Sequence, residues 1–215
     1  MMKAIKMMML AVAVLSMAAC GNDSKPVAEV QEVEMTDACS AVLENIATRV
    51  TVRAYQNKPV ETEKVEQLLR AGMAAPTALN AQPWHFIVIT DRSVLKALAG
   101  VSQHTGILET APMAIAVCGN LSKTLPSAEQ VYWIQDVSAA TENILLAAHA
   151  MGLGATWTGS YPVEERHRTA EKVLDLPKHI KAVSIIAIGY PAVQPHVKDK
   201  YKEENISYNK FSIKE

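Results

Sequence analysis

Four short segments carry groups that could hold a ligand. Arg49-Val50-Thr51-Val52-Arg53 sets two guanidinium groups and a hydroxyl within five residues. Such a set can converge on one phosphate through charge-assisted hydrogen bonds, and a solvated surface face has the same composition. Ala75 to Trp84 (APTALNAQPW) holds two amides, a hydroxyl and an indole. It reads as a ligand loop held by rigid elements, or as a capped loop in which Asn80 bonds its own backbone and Trp84 fills the core. Gly152 to Ser160 (GLGATWTGS) is built of small residues that let a flat heterocycle approach main-chain N–H groups. A helix stop followed by a tight strand entry accounts for the same glycines. The Gly-x-x-x-x-Gly-Lys and Gly-x-Gly-x-x-Gly phosphate spacings are absent. Lys198-Asp199-Lys200-Tyr201 follows the Gly189-Tyr190-Pro191 turn and joins the set only as a partner of Arg49.

Nucleophile and metal chemistry find less support. Cys118 lies inside an apolar run, where a thiol acts as a small hydrophobe. Cys39 stands near the start of the domain, and pairing of Cys39 with Cys118 stays open. His85, His104, His149, His167, His179 and His196 show no ligand spacing with acids or cysteines. The 215 residues carry 21 Lys+Arg against 22 Asp+Glu, a formal net charge of −1, so there is no cation excess for nucleic acid. With 49% hydrophobic and 20% charged residues the chain can bury a core, which excludes collagenous and wholly disordered classes.

The positioning elements follow from periodicity. Helices are expected over 41–49, 62–73, 92–100, 131–151 and 164–174, and buried strands over 85–90, 113–118 and 182–188. Residues 75–82 and the polar tail from Pro195 read as irregular. The pattern is mixed α and β: several helices around a small, largely buried sheet.

Five of the ten methionines (Met1, Met2, Met7, Met8, Met9) lie in the first ten residues, marking a separate object. Lys3 and Lys6 precede an apolar run from Met7 to Ala19 that is short for a bilayer crossing and has signal-peptide proportions. Met17-Ala18-Ala19-Cys20 resembles the bacterial lipoprotein lipobox, with Met17 in place of the usual Leu. The resemblance implies a signal peptide over 1–19, a lipidated Cys20, and a cell-envelope location. Residues 20–39 then form a polar, acidic tether before a domain at 40–215. Loss of Lys3 and Lys6 leaves 19 basic against 22 acidic residues, so acyl chains rather than charge would hold the protein at a membrane.

Taken in order, the segments over residues 40–215 resemble the FMN-dependent nitroreductase family. The matching pieces are Arg49–Arg53, Pro76–Trp84, Gly152-Leu153-Gly154, Gly189-Tyr190-Pro191 and Lys198-Asp199-Lys200. The resemblance implies an α+β fold, a three-layer α/β/α sandwich with a small, mostly antiparallel central sheet, in an intertwined homodimer binding FMN at its interface. Arg49, Arg53 and Lys198 or Lys200 would hold the phosphate, with a hydroxyl from Thr51. Pro76, Thr77, Ala78 and Asn80 would reach the ring from the partner chain, and Trp157, Thr158 and Gly159 would line its other side. Val50 stands where the family usually has a second arginine, and Thr51 where it has serine.

No catalytic side chain is implied, because the flavin carries the chemistry. The implied reaction is two-electron reduction of a small electron-poor aromatic, nitroaromatic or quinone-like, by ping-pong hydride transfer through FMN. NAD(P)H is the family's usual donor; an enzyme outside the cytoplasm would need another, such as a protein or a quinone-linked supply. The alternatives are a non-catalytic flavin-binding lipoprotein, or a superfamily branch for reductive dehalogenation or flavin cleavage. Those branches add lid residues, and Ser102 to Pro126 shows no such signature.

Overall fold

Alternation of large and small apolar residues along two central strands sets the architecture. The computed structural model describes residues 36–126 and 131–212. Four strands form one antiparallel sheet, ordered β1 (Trp84–Ile89), β2 (Met113–Asn120), β4 (Ile180–Gly189), β3 (Gly154–Gly159). Along β2, Met113, Ile115 and Val117 turn to one face and Ala114, Ala116 and Cys118 to the other, all buried. On β4, Ile186 and Ile188 join the first face, and Ala182, Ile185 and Ala187 the second.

The two faces receive different helices. Leu68 of α2 (Thr62–Met73) and Val137 and Ile144 of α4 (Trp133–Ala150) pack on the first. Leu95 and Leu98 of α3 (Arg92–Ala99) and Ala170 of α5 (Glu164–Val173) pack on the second. The result is the expected α+β three-layer arrangement, with every strand pairing antiparallel. The sequence pattern finds the five helices and three of the strands; β3, with a glycine at each end, is not among the expected strands and is touched only by the reading of a helix stop followed by a tight strand entry.

The first helix, α1 (Asp37–Thr48), starts three residues before the boundary expected at 40. Thr36 caps it, its Oγ1 accepting the Cys39 N–H at 3.3 Å. Helix α1 buries no residue, and Val42, Leu43 and Ile46 are 60, 53 and 53% exposed. Polar contacts hold it to α4: Asn45 Nδ2 donates to the Leu146 carbonyl at 3.1 Å, and Thr48 Oγ1 lies 2.9 Å from His149 Nε2. The expected signal peptide, Cys20 and most of the tether lie outside the described residues.

Candidate functional site

The Arg49–Arg53 segment is positioned by the edge of the sheet. Thr51 forms a parallel bridge with Ala155 of β3, and the Val52 N–H donates to the Ala155 carbonyl at 3.1 Å. The Val52 side chain is buried against Gly154, where a Cβ would come within 2.6 Å of it. Below, the Tyr55 hydroxyl sits 2.7 Å from the Val52 carbonyl and 3.0 Å from that of Ala187. Burial pushes this phenol up to about 12, so it stays a donor. With Val52 turned inward, Thr51 and Arg53 turn outward. There Val50, Thr51 and Arg53 line a cavity of about 220 Å³ with His196, Lys198 and Lys200.

Arg49, expected with Arg53 at a phosphate, is not among the residues that line this cavity. Its Nε lies 3.3 Å from Glu142 Oε1 on α4. His196 lines the cavity although no motif marked it. Its period-two spacing with Lys198 and Lys200 was the available signal.

A second cavity, of about 610 Å³, shares Arg53 with the first and runs along β3, where Trp157, Thr158 and Gly159 line it. Strand β3 pairs with β4 on one side only. Its Ala155 carbonyl faces outward to Val52, while the Ser160 N–H turns inward to Val183 at 2.9 Å. By antiparallel alternation the N–H groups of Trp157 and Gly159 therefore face the open edge. Trp157 is 38% exposed, and a Cβ at Gly159 would meet nothing within 4 Å. The opposite wall comes from residues without a motif: Gln103, His104, Gly106 and Ile107 from the loop after α3, and Arg166 from α5.

The Pro76–Trp84 loop builds a third cavity, of about 640 Å³, lined by Pro76, Thr77 and Ala78 together with Tyr132, Gln135 and Asp136 of the α4 region. The loop is fixed rather than slack. Leu79, Asn80 and Gln82 have φ of 48°, 55° and 49°, a left-handed conformation that costs a non-glycine residue such as Leu about 1–2 kcal/mol. Buried Asp136 accepts the Ala78 N–H at 3.0 Å, and Thr77 Oγ1 accepts that of Gln82 at 3.2 Å. Asn80 is exposed, with Oδ1 accepting from Gln82 Nε2 at 3.0 Å. This cavity shares no lining residue with the other two.

Two of the recognised motifs are architectural. At the end of α4 the Gly152 N–H bonds the His149 carbonyl at 3.0 Å and the Leu153 N–H that of Ala148 at 2.8 Å. With Gly152 at φ 72°, this is the helix-stop geometry that left-handed glycine allows. The Gly189-Tyr190-Pro191 turn is clamped through Tyr190, whose hydroxyl lies 2.7 Å from Glu61 Oε2 and 2.8 Å from Lys64 Nζ. That hydrogen bond holds the Glu61 carboxyl down at about 2. Cys39 and Cys118 are both free thiols, and burial pushes Cys118 up to about 12. Among the described residues no group of three His, Cys, Asp or Glu could hold a metal.

The donor set suits a phosphate monoester attached to a flat ring. Basic side chains surround the small cavity, and Arg53 leads from it to a larger one bordered by unpaired strand N–H groups. Comparison with known proteins identifies the family. The model of the nitroreductase family matches residues 46–105 and 102–190. A Methanothermobacter thermautotrophicus protein, provisionally named an NADH dehydrogenase/NAD(P)H nitroreductase, is 40% identical over 171 residues, 79% of this chain and 87% of its own. A solved Bacteroides thetaiotaomicron structure with the same provisional name is 44% identical with a TM-score of 0.75, covering 80% of this chain and 98% of that one. An FMN-dependent nitroreductase from Clostridium difficile is 26% identical with a TM-score of 0.72, covering 79% and 99%.

Proposed function

The chain belongs to the nitroreductase family of oxidoreductases, and from that premise we propose that it is an FMN-dependent reductase of small electron-poor aromatics, working as a homodimer. The observation that carries the proposal is Arg53, which borders both the small cation-lined cavity and the larger cavity along β3. In this reading Lys198, Lys200 and His196 receive the FMN phosphate with Arg53, and Thr51 adds a hydroxyl. The Trp157 and Gly159 N–H groups offer fixed dipoles to the ring, whose charge changes on reduction. FMN bound there would supply two-electron transfer between NAD(P)H and a nitroaromatic or quinone-like acceptor. Pro76, Thr77 and Ala78 line a separate cavity, so they reach a flavin only from a second copy.

We further propose that Cys20 carries a lipid anchor and that the protein resides in the cell envelope. Mass analysis of the N-terminal peptide tests this: diacylglycerol on Cys20 is expected, and an unmodified thiol removes the claim.

The central test is the visible spectrum of the purified chain incubated with FMN and desalted. A yellow protein that bleaches anaerobically with NADH or NADPH and regains colour on addition of a nitroaromatic is expected. A colourless protein overturns the proposal. Colour that only dithionite bleaches would make the protein a flavin binder, or an enzyme fed by a different donor.

A further inference from the structure

The larger of the two cavities that Arg53 lines is more basic than a site for neutral aromatics requires. Arg53 and Arg166 both line it, His104 and Gln103 add polar groups, and no lining residue is a carboxylate. Arg166 is half-buried, and no hydrogen bond or ion pair engages it among the described residues. Its helix explains why. On α5 the neighbouring basic residues have acids one turn away: Arg168 Nη2 lies 2.7 Å from Glu164, and His167 Nδ1 lies 2.9 Å from Glu171. The corresponding positions around Arg166 are Pro162, Val163, Thr169 and Ala170, none of which can neutralise it. Its guanidinium is left to whatever enters the cavity.

The loop facing it is firmly held. Thr105 is buried, its Oγ1 donating to the Ala99 carbonyl at 2.9 Å and accepting the Ser102 N–H at 2.8 Å. Gln103 and His104 are therefore presented from a fixed turn, with Trp157 as an apolar surface in the same cavity.

Resting on the proposed flavin site, which takes up Arg53, we propose that Arg166, with His104 and Gln103, forms an oxyanion-recognition subsite at the outer wall of this cavity. The molecule exchanging electrons there carries a carboxylate, sulfonate or phosphate beside its flat ring. Two sources share that chemistry: an aromatic acid as acceptor, or the phosphates of a dinucleotide donor.

Arg166→Gln and Arg166→Lys in the FMN-loaded protein separate these cases. In the acceptor arm, protein pre-reduced with a stoichiometric amount of dithionite is mixed with 4-nitrobenzoate or the neutral 4-nitrobenzyl alcohol. Dissociation constants for both come from perturbation of the oxidised flavin spectrum. In the donor arm, anaerobic flavin reduction by NADH and NADPH is timed. Loss of a charge-assisted contact should weaken the charged ligand about tenfold or more in one arm. The neutral nitro compound should change less than about twofold, and Arg166→Lys should restore part of the loss. A loss confined to nitrobenzoate assigns the acceptor as the anion; a loss confined to dinucleotides assigns the donor. Flavin content matching the parent with no change in either arm overturns the subsite alone, as does an equal loss for the neutral compound. A colourless parent overturns the flavin site and the subsite together.

Discussion

At the scale of single residues, the contrast between Arg49 and Arg53 is the sharpest result. The two are equivalent in the motif, four residues apart with a hydroxyl between them. In the structure Arg53 faces two cavities, while Arg49 is drawn to Glu142. Removing a charged donor to a phosphate costs about 1.5–3 kcal/mol, so Arg53→Gln should weaken FMN binding roughly tenfold to a hundredfold. Arg49→Gln should weaken it less than about threefold, because its charge is already compensated. Equilibrium titration followed by flavin fluorescence measures both, and equal losses would return Arg49 to the phosphate. Val50 gives the converse case. It lines the small cavity without contributing charge, so Val50→Arg should tighten FMN and shift its reduction potential. Unchanged affinity and potential would remove that claim.

At the scale of elements, what was legible in the sequence follows from what each element buries. Strands β2 and β4 are almost wholly enclosed and helix α4 buries one broad face, and their apolar patterns show it. Strand β3 lies at an edge, begins and ends in glycine, and exposes Trp157 and Gly159, so its period is broken where its free N–H groups are useful. The Gln103–Ile107 wall and Arg166 carry no motif because only tertiary packing brings a loop after α3 to the side of α5. Asp136 is similarly hidden inside a helix pattern, although it fixes the Ala78 N–H. Helix α1 illustrates the opposite failure: its amphipathic period is clear, yet the face it predicts is not covered among the described residues.

The seating of α1 on α4 should depend on pH. His149, which contacts Thr48, has its proton affinity lowered below the ordinary 6.5, first by burial and then by the nearby Arg49. The undocked or unfolded state therefore binds more protons, and stability must rise with pH through this window. The contribution is complete above about pH 6.5 and is lost as pH falls through the lowered value. Hydrogen exchange of the α1 amides, corrected for intrinsic rates, should show protection at pH 7.5 that decays toward pH 5. His149→Gln should flatten that dependence; an unaltered profile would assign the effect to another group.

At the scale of the whole molecule, the described surface is unfinished. Val42, Leu43 and Ile46 on α1, Leu79 at 83% exposure on its strained loop, and Tyr201, Tyr208 and Phe211 of the tail at 72, 81 and 85% are apolar groups facing solvent. Large apolar groups in such number mark surfaces for association, and in the proposed homodimer a two-fold related copy presents the same set to them. Under the proposed function the two kinds of cavity call for a second copy as well, since the Arg53 cavities and the Pro76–Ala78 cavity have no lining residue in common. If each flavin lies between the Arg53 side of one copy and the Pro76–Ala78 side of the other, damage to the two sides should complement. Arg53→Gln breaks one side of both sites in its own dimer, and Ala78→Trp, which fills the other cavity, breaks the opposite side of both. Co-expressed, the two variants form mixed dimers in which one site collects both lesions and the other collects none. With random pairing, about a quarter of all sites should regain parental flavin affinity and turnover. Flavin content and nitroreductase activity of the co-expressed pair, set against each variant alone, decide the matter. If the mixture holds no more flavin than its components, each site is complete within a single chain.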